Sequence, residues 1–310
     1  MSMFIRKYLT LLIILLGIAL GFLLPNVGLL WKPYLPYLLM LLMFFVSLTI
    51  QPGEIVKSIR DYNVIALTLV MVFVLTPLLS LLAKPFFSST AYAGTVLAFA
   101  GPSAIATGFW SGIFNGDVAV ALVISTVTNL MAIVTMPLTM LLALGTTVNI
   151  DVGWMMLYLS EMILVPLGAS FLLKGIVKRS LNHLSGYTSR VNSIIMMMLI
   201  WGSIAPGVAA AESNVVEFAW LNVFMLITLG LAFLVAYTLG RRRGSKQAIT
   251  MGIAASVKNA ALSLILGATI FAPIFGPNIL SPLIANLMAQ NILLVPLRAI
   301  LREQRSVKAS

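Results

Sequence analysis

Lys258 stands in the apolar stretch Gly252-Ile-Ala-Ala-Ser-Val-Lys-Asn-Ala-Ala-Leu262. It lies about twelve residues from either end of the longer apolar span 247–272, roughly 18 Å at helical rise. An ammonium so placed is too deep to snorkel to a headgroup layer. It must find acceptors, meet an anion, or give up its proton, as buried lysines do. Its neighbour Asn259 adds an amide. A second small-residue stretch, Ala98-Phe-Ala-Gly-Pro-Ser-Ala-Ile-Ala-Thr-Gly-Phe-Trp110, carries Ser103, Ile105 and Thr107 just after Gly101-Pro102. Other polar groups in apolar surroundings are Ser125, Asn129, Glu161, Ser256, Asn286, Gln290 and Asn291. With no cysteine and a single histidine, His183, the chain has no thiolate chemistry and no imidazole metal site. No metal and no cofactor is expected.

The elements that hold these groups follow from composition. The 310 residues are 61% hydrophobic and 9% charged, with mean hydropathy +1.08. A soluble domain carries about 25% charged residues, so an ordinary soluble enzyme is excluded. Read by length and flanks, ten apolar segments run at about 8–24, 34–50, 63–83, 91–115, 118–144, 152–173, 191–211, 216–240, 247–272 and 279–298. Alternation typical of a membrane barrel is missing. The first segment lacks a small-x-small cleavage signal and reads as a retained helix.

The net charge is +11, and its distribution sets an expected orientation. Sixteen Lys and Arg residues, among them Arg6, Lys57, Lys174 and Arg241–Arg243, fall on the side of the N-terminus, against Lys32 and Lys84 opposite. The positive-inside bias places both termini in the cytoplasm of a multi-pass protein in contact with lipid. Trp31, Trp154 and Trp220 fall at the expected outer ends of spans. The basic run is a stop-transfer flank, and no nucleic-acid partner is expected.

The chain also matches itself. Asn129-Leu-Met-Ala132 returns as Asn286-Leu-Met-Ala289, each copy followed by a Pro-Leu pair. Met43 to Gly53 parallels Met197 to Gly207. Both offsets lie near 155 residues, which suggests two five-span repeats, 1–149 and 150–310. Five is odd, so the second copy is inverted, as in many secondary transporters. The two interrupted segments, spans 4 and 9, hold matching places in the repeats. Proline removes a backbone donor and clashes with the preceding turn, so span 4 is expected to break at Gly101-Pro102, and span 9 near Lys258-Asn259. Such paired breaks mark transport sites: they free carbonyls on one side and expose a helix N-terminus on the other.

On these residues the chain resembles the bile acid:sodium symporter family. The resemblance covers nearly the whole chain and is sharpest from Gly101-Pro102 to Pro137, through Asn115-Gly116-Asp117-Val118-Ala-Val-Ala121, and from Ala254 to Asn259. It implies an all-α membrane protein with a panel domain (spans 1, 2, 6, 7) and a core domain (3–5, 8–10), in which spans 4 and 9 cross. It also implies transport of an organic anion, usually with sodium. The likeness departs at the sodium ligands. The family's Ser-Asn pair aligns with Thr107-Gly108, and its serine and threonine in span 5 with Ala121 and Ser125. Its Glu-x-x-x-Gln-Asn run reads Ala254 to Lys258-Asn259, a span-3 glutamine is Val72, and a His-Asn pair is Gln290-Asn291.

A sodium ion 4 Å from an ammonium meets about 4 kcal/mol of repulsion at an effective dielectric near 20. The expectation is therefore a secondary transporter of a small organic anion, a carboxylate, that does not use the usual sodium sites. Lys258 stands in for the coupling cation or titrates. Substrate contacts are expected from Ser103, Ile105, Thr107, Lys258, Asn259, Gln290 and Asn291. Ion coupling is expected from Lys258, Ser125, Asn129, Ser256 and Asn286. Glu161 is expected to gate or to pair with Lys258. Weaker readings are a sodium symporter with residual sites, a substrate-sensing receptor, and a hydrolase built on a Ser103–Lys258 dyad. The arsenite-exporter relatives share the scaffold, but they need a sulfur ligand that this chain lacks.

Overall fold

The computed structural model describes residues 3–49, 62–145, 150–176 and 185–309. The basic residues Lys57, Arg60, Lys178 and Arg179, and His183, lie outside them. Fourteen helices follow one another in the described residues, and no strand occurs among them. They are α1 (Met3–Leu23), α2 (Pro25–Trp31), α3 (Leu35–Thr49), α4 (Tyr62–Leu81), α5 (Ser89–Ala100), α6 (Thr107–Ile113) and α7 (Val118–Leu144). Then come α8 (Val152–Ile176), α9 (Ser185–Ile204), α10 (Val208–Ser213), α11 (Val215–Gly240), α12 (Ser245–Ser256), α13 (Ala260–Phe275) and α14 (Leu280–Ala309). Among the described residues, six helical runs are long and apolar enough to cross a membrane: Pro25–Leu48, Tyr62–Leu81, Val118–Leu144, Val152–Ile176, Val215–Arg243 and Pro277–Leu297. Two shorter apolar runs, Val191–Gly207 and Ala260–Phe275, join them. The chain is an integral membrane protein.

The helices pack in two groups. In one, α9 packs on α1, α2 and α3, and α3 packs on α8. In the other, α4 to α7 pack with α11 to α14: α5 on α4, α7 and α14, and α11 on α12 and α14. The groups meet where α7 touches α8 and where α13 touches α3 and α9.

Both expected interruptions are present, with different causes. The first runs from Gly101 to Ala106 between α5 and α6. Gly101 is extended (φ −58°, ψ 147°), because a residue before proline is pushed out of the helical region. Pro102 then has no N–H to continue the ladder. The second spans Val257 to Asn259 between α12 and α13. No proline or glycine stands there. Val257 is extended (φ −100°, ψ 100°), and Asn259 caps the next helix by accepting from Leu262 N–H at 3.3 Å.

Close approach makes glycine necessary at Gly101. A Cβ there would lie 2.8 Å from Ser263 Oγ and 3.2 Å from Ala98 O. Gly101→Ala should therefore destabilise the protein by about 1–3 kcal/mol, read as a lower melting temperature in detergent. Adding Ser263→Ala should recover part of the loss.

Candidate functional site

The two interruptions touch. Ser103 and Lys258 form an isolated antiparallel bridge. Ala104 N–H donates to Val257 O at 2.8 Å, and Asn259 N–H donates to Pro102 O at 2.8 Å. The bridged residues are 155 positions apart, and moving the donor of one hydrogen bond and its acceptor by that offset in opposite directions generates the other. Two short extended segments thus give each other the backbone bonds that their broken helices cannot.

The carbonyls freed at the end of α5 find side-chain donors one by one. Leu97 O accepts from Ser263 Oγ at 3.4 Å and Phe99 O from Thr76 Oγ1 at 3.2 Å. Gly101 O accepts from Lys258 Nζ at 3.2 Å. Ser103 O accepts from Asn129 Nδ2 at 3.1 Å, and Ala104 O from Ser125 Oγ at 2.9 Å and Thr107 Oγ1 at 2.6 Å. Buried polar atoms left without partners are costly, so this donor set is what the break requires.

Lys258 is 1% exposed. Its Nζ donates to Thr76 Oγ1 at 2.6 Å, to Val72 O at 3.2 Å and to Gly101 O at 3.2 Å. An ammonium has three donors, and all three are used. Val72 O is available for a local reason. Residues Met71–Leu75 are π-helical, and Thr76 N–H bonds back to Met71 O. The next bond in that pattern would run from residue 77 to Val72 O, but Pro77 has no N–H. Thr76 Oγ1, 2.6 Å from Val72 O, and Lys258 Nζ take its place. The sequence reading placed Val72 only as the counterpart of a family glutamine and missed Thr76; the Thr76-Pro77 pair was the available signal.

A cavity of about 340 Å³ lies between the two helix groups, against this crossing. One wall is Leu42, Val46, Asn192, Ser193, Met196 and Ile200 from α3 and α9. The other is formed by Ala104 to Ala106, Val257 to Ala261, and Leu287, Gln290 and Asn291 of α14. Gln290, 6% exposed, accepts Lys258 N–H on its Oε1 at 2.9 Å; its Nε2 remains as a donor on the wall. Asn291 Nδ2 bonds Leu287 O at 2.7 Å, which leaves its Oδ1 as an acceptor. Asn192 Oδ1 is buried with no hydrogen-bond partner among the described residues. The rest of the lining is largely apolar and includes Phe109 and Trp110 in edge contact.

Of the residues expected at a substrate, Ile105, Lys258, Asn259, Gln290 and Asn291 line this cavity. Ser103 and Thr107 are fully buried behind the wall, their hydroxyls 2.9 Å apart. The dyad reading is corrected by this geometry: Ser103 Oγ pairs with Thr107, whereas Lys258 Nζ bonds Val72, Thr76 and Gly101. The ion-pair reading of Glu161 is corrected too. Glu161 is exposed on α8, and none of the bonds of Lys258 Nζ reaches it. Asn129 ties the breaks together, accepting from Asn259 Nδ2 at 2.9 Å. With Ser125 it lines a small cavity of about 40 Å³ beside Ser47. Ser256 bonds back to Gly252 O within α12. Asn286 lies elsewhere, its Nδ2 3.9 Å from Met225 Sδ on α11.

The model of the SBF-like CPA transporter family matches residues 8–297. The chain belongs to this family. SBF-like proteins are membrane transporters, not enzymes, so the crossing and its cavity belong to a transporter. No curated protein matches the chain.

The seat of the ammonium makes a prediction. Thr76→Val removes one acceptor from a buried charge and the one hydroxyl hydrogen that Val72 O and Phe99 O share. It should cost about 1–3 kcal/mol, measured as a fall in melting temperature. Thr95→Val, which loses only a bond to Ala91 O within its own helix, should cost clearly less.

Proposed function

We propose that this SBF-like transporter moves a small organic anion, a carboxylate, by alternating access, and that Lys258 takes the part of the coupling cation. The observation that carries the reading is the Lys258 ammonium, buried at the crossing and bonded to two carbonyls and a hydroxyl. Carbonyl and hydroxyl oxygens are the donor set a dissolved alkali cation would also take. Here the cation is tethered.

Electrostatics supports an anionic cargo. Among the described residues that line the cavity, Lys258 is the only ionisable one. α13 also begins at the wall and contributes the positive end of its dipole. A carboxylate would meet the Gln290 amide donor and lay its apolar part on Leu42, Met196 and Ile200. A sodium ion would find no acid there, and the Asn129 carbonyl oxygen beside the smaller cavity already accepts from Asn259.

The movement in this reading is that of the α4–α7 and α11–α14 group against α1–α3, α8 and α9. Ten spans in two inverted five-helix repeats, residues 1–149 and 150–310, would give the two faces their equivalence. The 12-residue α5 and α12, each ending at a break, hold matching places in it. Both termini lie in the cytoplasm by the positive-inside bias.

A thermal-shift screen of lactate, benzoate, phenylacetate and cholate on the purified chain tests this reading. A binding carboxylate at about a hundred times its Kd should stabilise the fold by roughly 2.7 kcal/mol. Replacing sodium by choline should not reduce that gain, and Lys258→Gln should abolish it. A gain that appears only with sodium would overturn the assignment of Lys258.

A further inference from the structure

Resting on that reading, we infer that the transporter is an obligatory anion exchanger: its tethered Lys258 cation lets the moving helix group cross only with anionic cargo bound. This transport mode follows from where the acceptors of Lys258 sit. Val72 and Thr76 belong to α4, Gly101 ends α5, and Lys258 itself joins α12 to α13. All of them are in the group that contains both breaks. None of the three acceptors lines the cavity. The ammonium therefore travels with that group and keeps its bonds whichever way the cavity opens.

A dissolved coupling ion is released with the cargo, and the empty site returns without its charge. This cation cannot be released. With a monocarboxylate bound, the cavity region is close to neutral as it passes the apolar wall of α3 and α9. When empty it carries a full positive charge, and no acid among the lining residues balances it. Carrying an unbalanced charge past an apolar wall is penalised enough to slow the empty return by roughly a hundredfold. A second anion, taken up on the far side, removes the penalty.

The test uses the full chain in proteoliposomes, clamped at zero potential, with radiolabelled lactate, benzoate, phenylacetate and cholate as probes. Vesicles preloaded with the same unlabelled carboxylate are compared with vesicles holding only buffer. The expected result is uptake of at least one probe into preloaded vesicles, faster than into empty ones by roughly a hundredfold. Lys258→Arg keeps the charge and should keep that ratio. Lys258→Met removes the charge that holds the carboxylate and should abolish uptake in both arms. Equal wild-type uptake in both arms overturns the exchange mode and leaves anion transport standing. So does uptake into empty vesicles driven by an inward proton or sodium gradient. Failure of all four probes in both arms overturns the anion reading itself, and the exchange mode with it.

The Lys258 variants need not fold for the mode to be decided. The chain has no cysteine, so Ile105→Cys places a single reporter on the cavity wall. Without carboxylate, an impermeant maleimide should label it from one side of the membrane only. With a transported carboxylate on both sides, it should label from either. Labelling from both sides in carboxylate-free buffer overturns the inference.

Discussion

A primary ammonium deep in an apolar bundle has lost its water, and the protein must replace every hydrogen bond it gave up. For Lys258 the replacement is complete, with two carbonyls and one hydroxyl for three N–H donors. Each acceptor exists because some regular structure was interrupted. Val72 O is free because a π-helical turn meets a proline, and Gly101 O is free because α5 stops one residue earlier. Closing either interruption would strand the charge. The irregular backbone and the buried lysine are therefore one feature, and the cavity wall is built on it.

The bridge between the breaks shows how the two halves share this task. Its two backbone hydrogen bonds are exchanged by one offset along the chain. The side chains around it are not. At one bridged position stands Ser103, whose hydroxyl is absorbed by Thr107; at the other stands Lys258, which reaches α4. Asn129 cross-links the breaks, yet Asn286, in the second Asn-Leu-Met-Ala run, meets a methionine sulfur. The backbone frame is near-symmetric, and the charge it carries is not.

Much of this was legible in the chain. Apolar run lengths marked the helices, and Gly101-Pro102 marked the first break through plain steric chemistry. The second break was found by its match to the first, since Val257 and Asn259 carry no comparable local signal. The depth of Lys258 was legible because helical rise converts sequence distance into distance from the boundary. Its acceptors were not, because they are main-chain oxygens on α4 and α5, and a carbonyl has no residue type. Ser103 and Thr107 read as site residues by position, but their hydroxyls turn inward to satisfy the break. The contribution of α9 to the cavity was invisible for the usual reason: Asn192 and Met196 acquire meaning only when another helix faces them.

The proline at position 77 is coupled to a residue far away in the chain. Val72 O has two lone pairs and meets two groups, the Thr76 hydroxyl and the Lys258 ammonium. An amide hydrogen restored at position 77 would compete with both for that oxygen, so Pro77 and Lys258 are matched through a main-chain atom that belongs to neither.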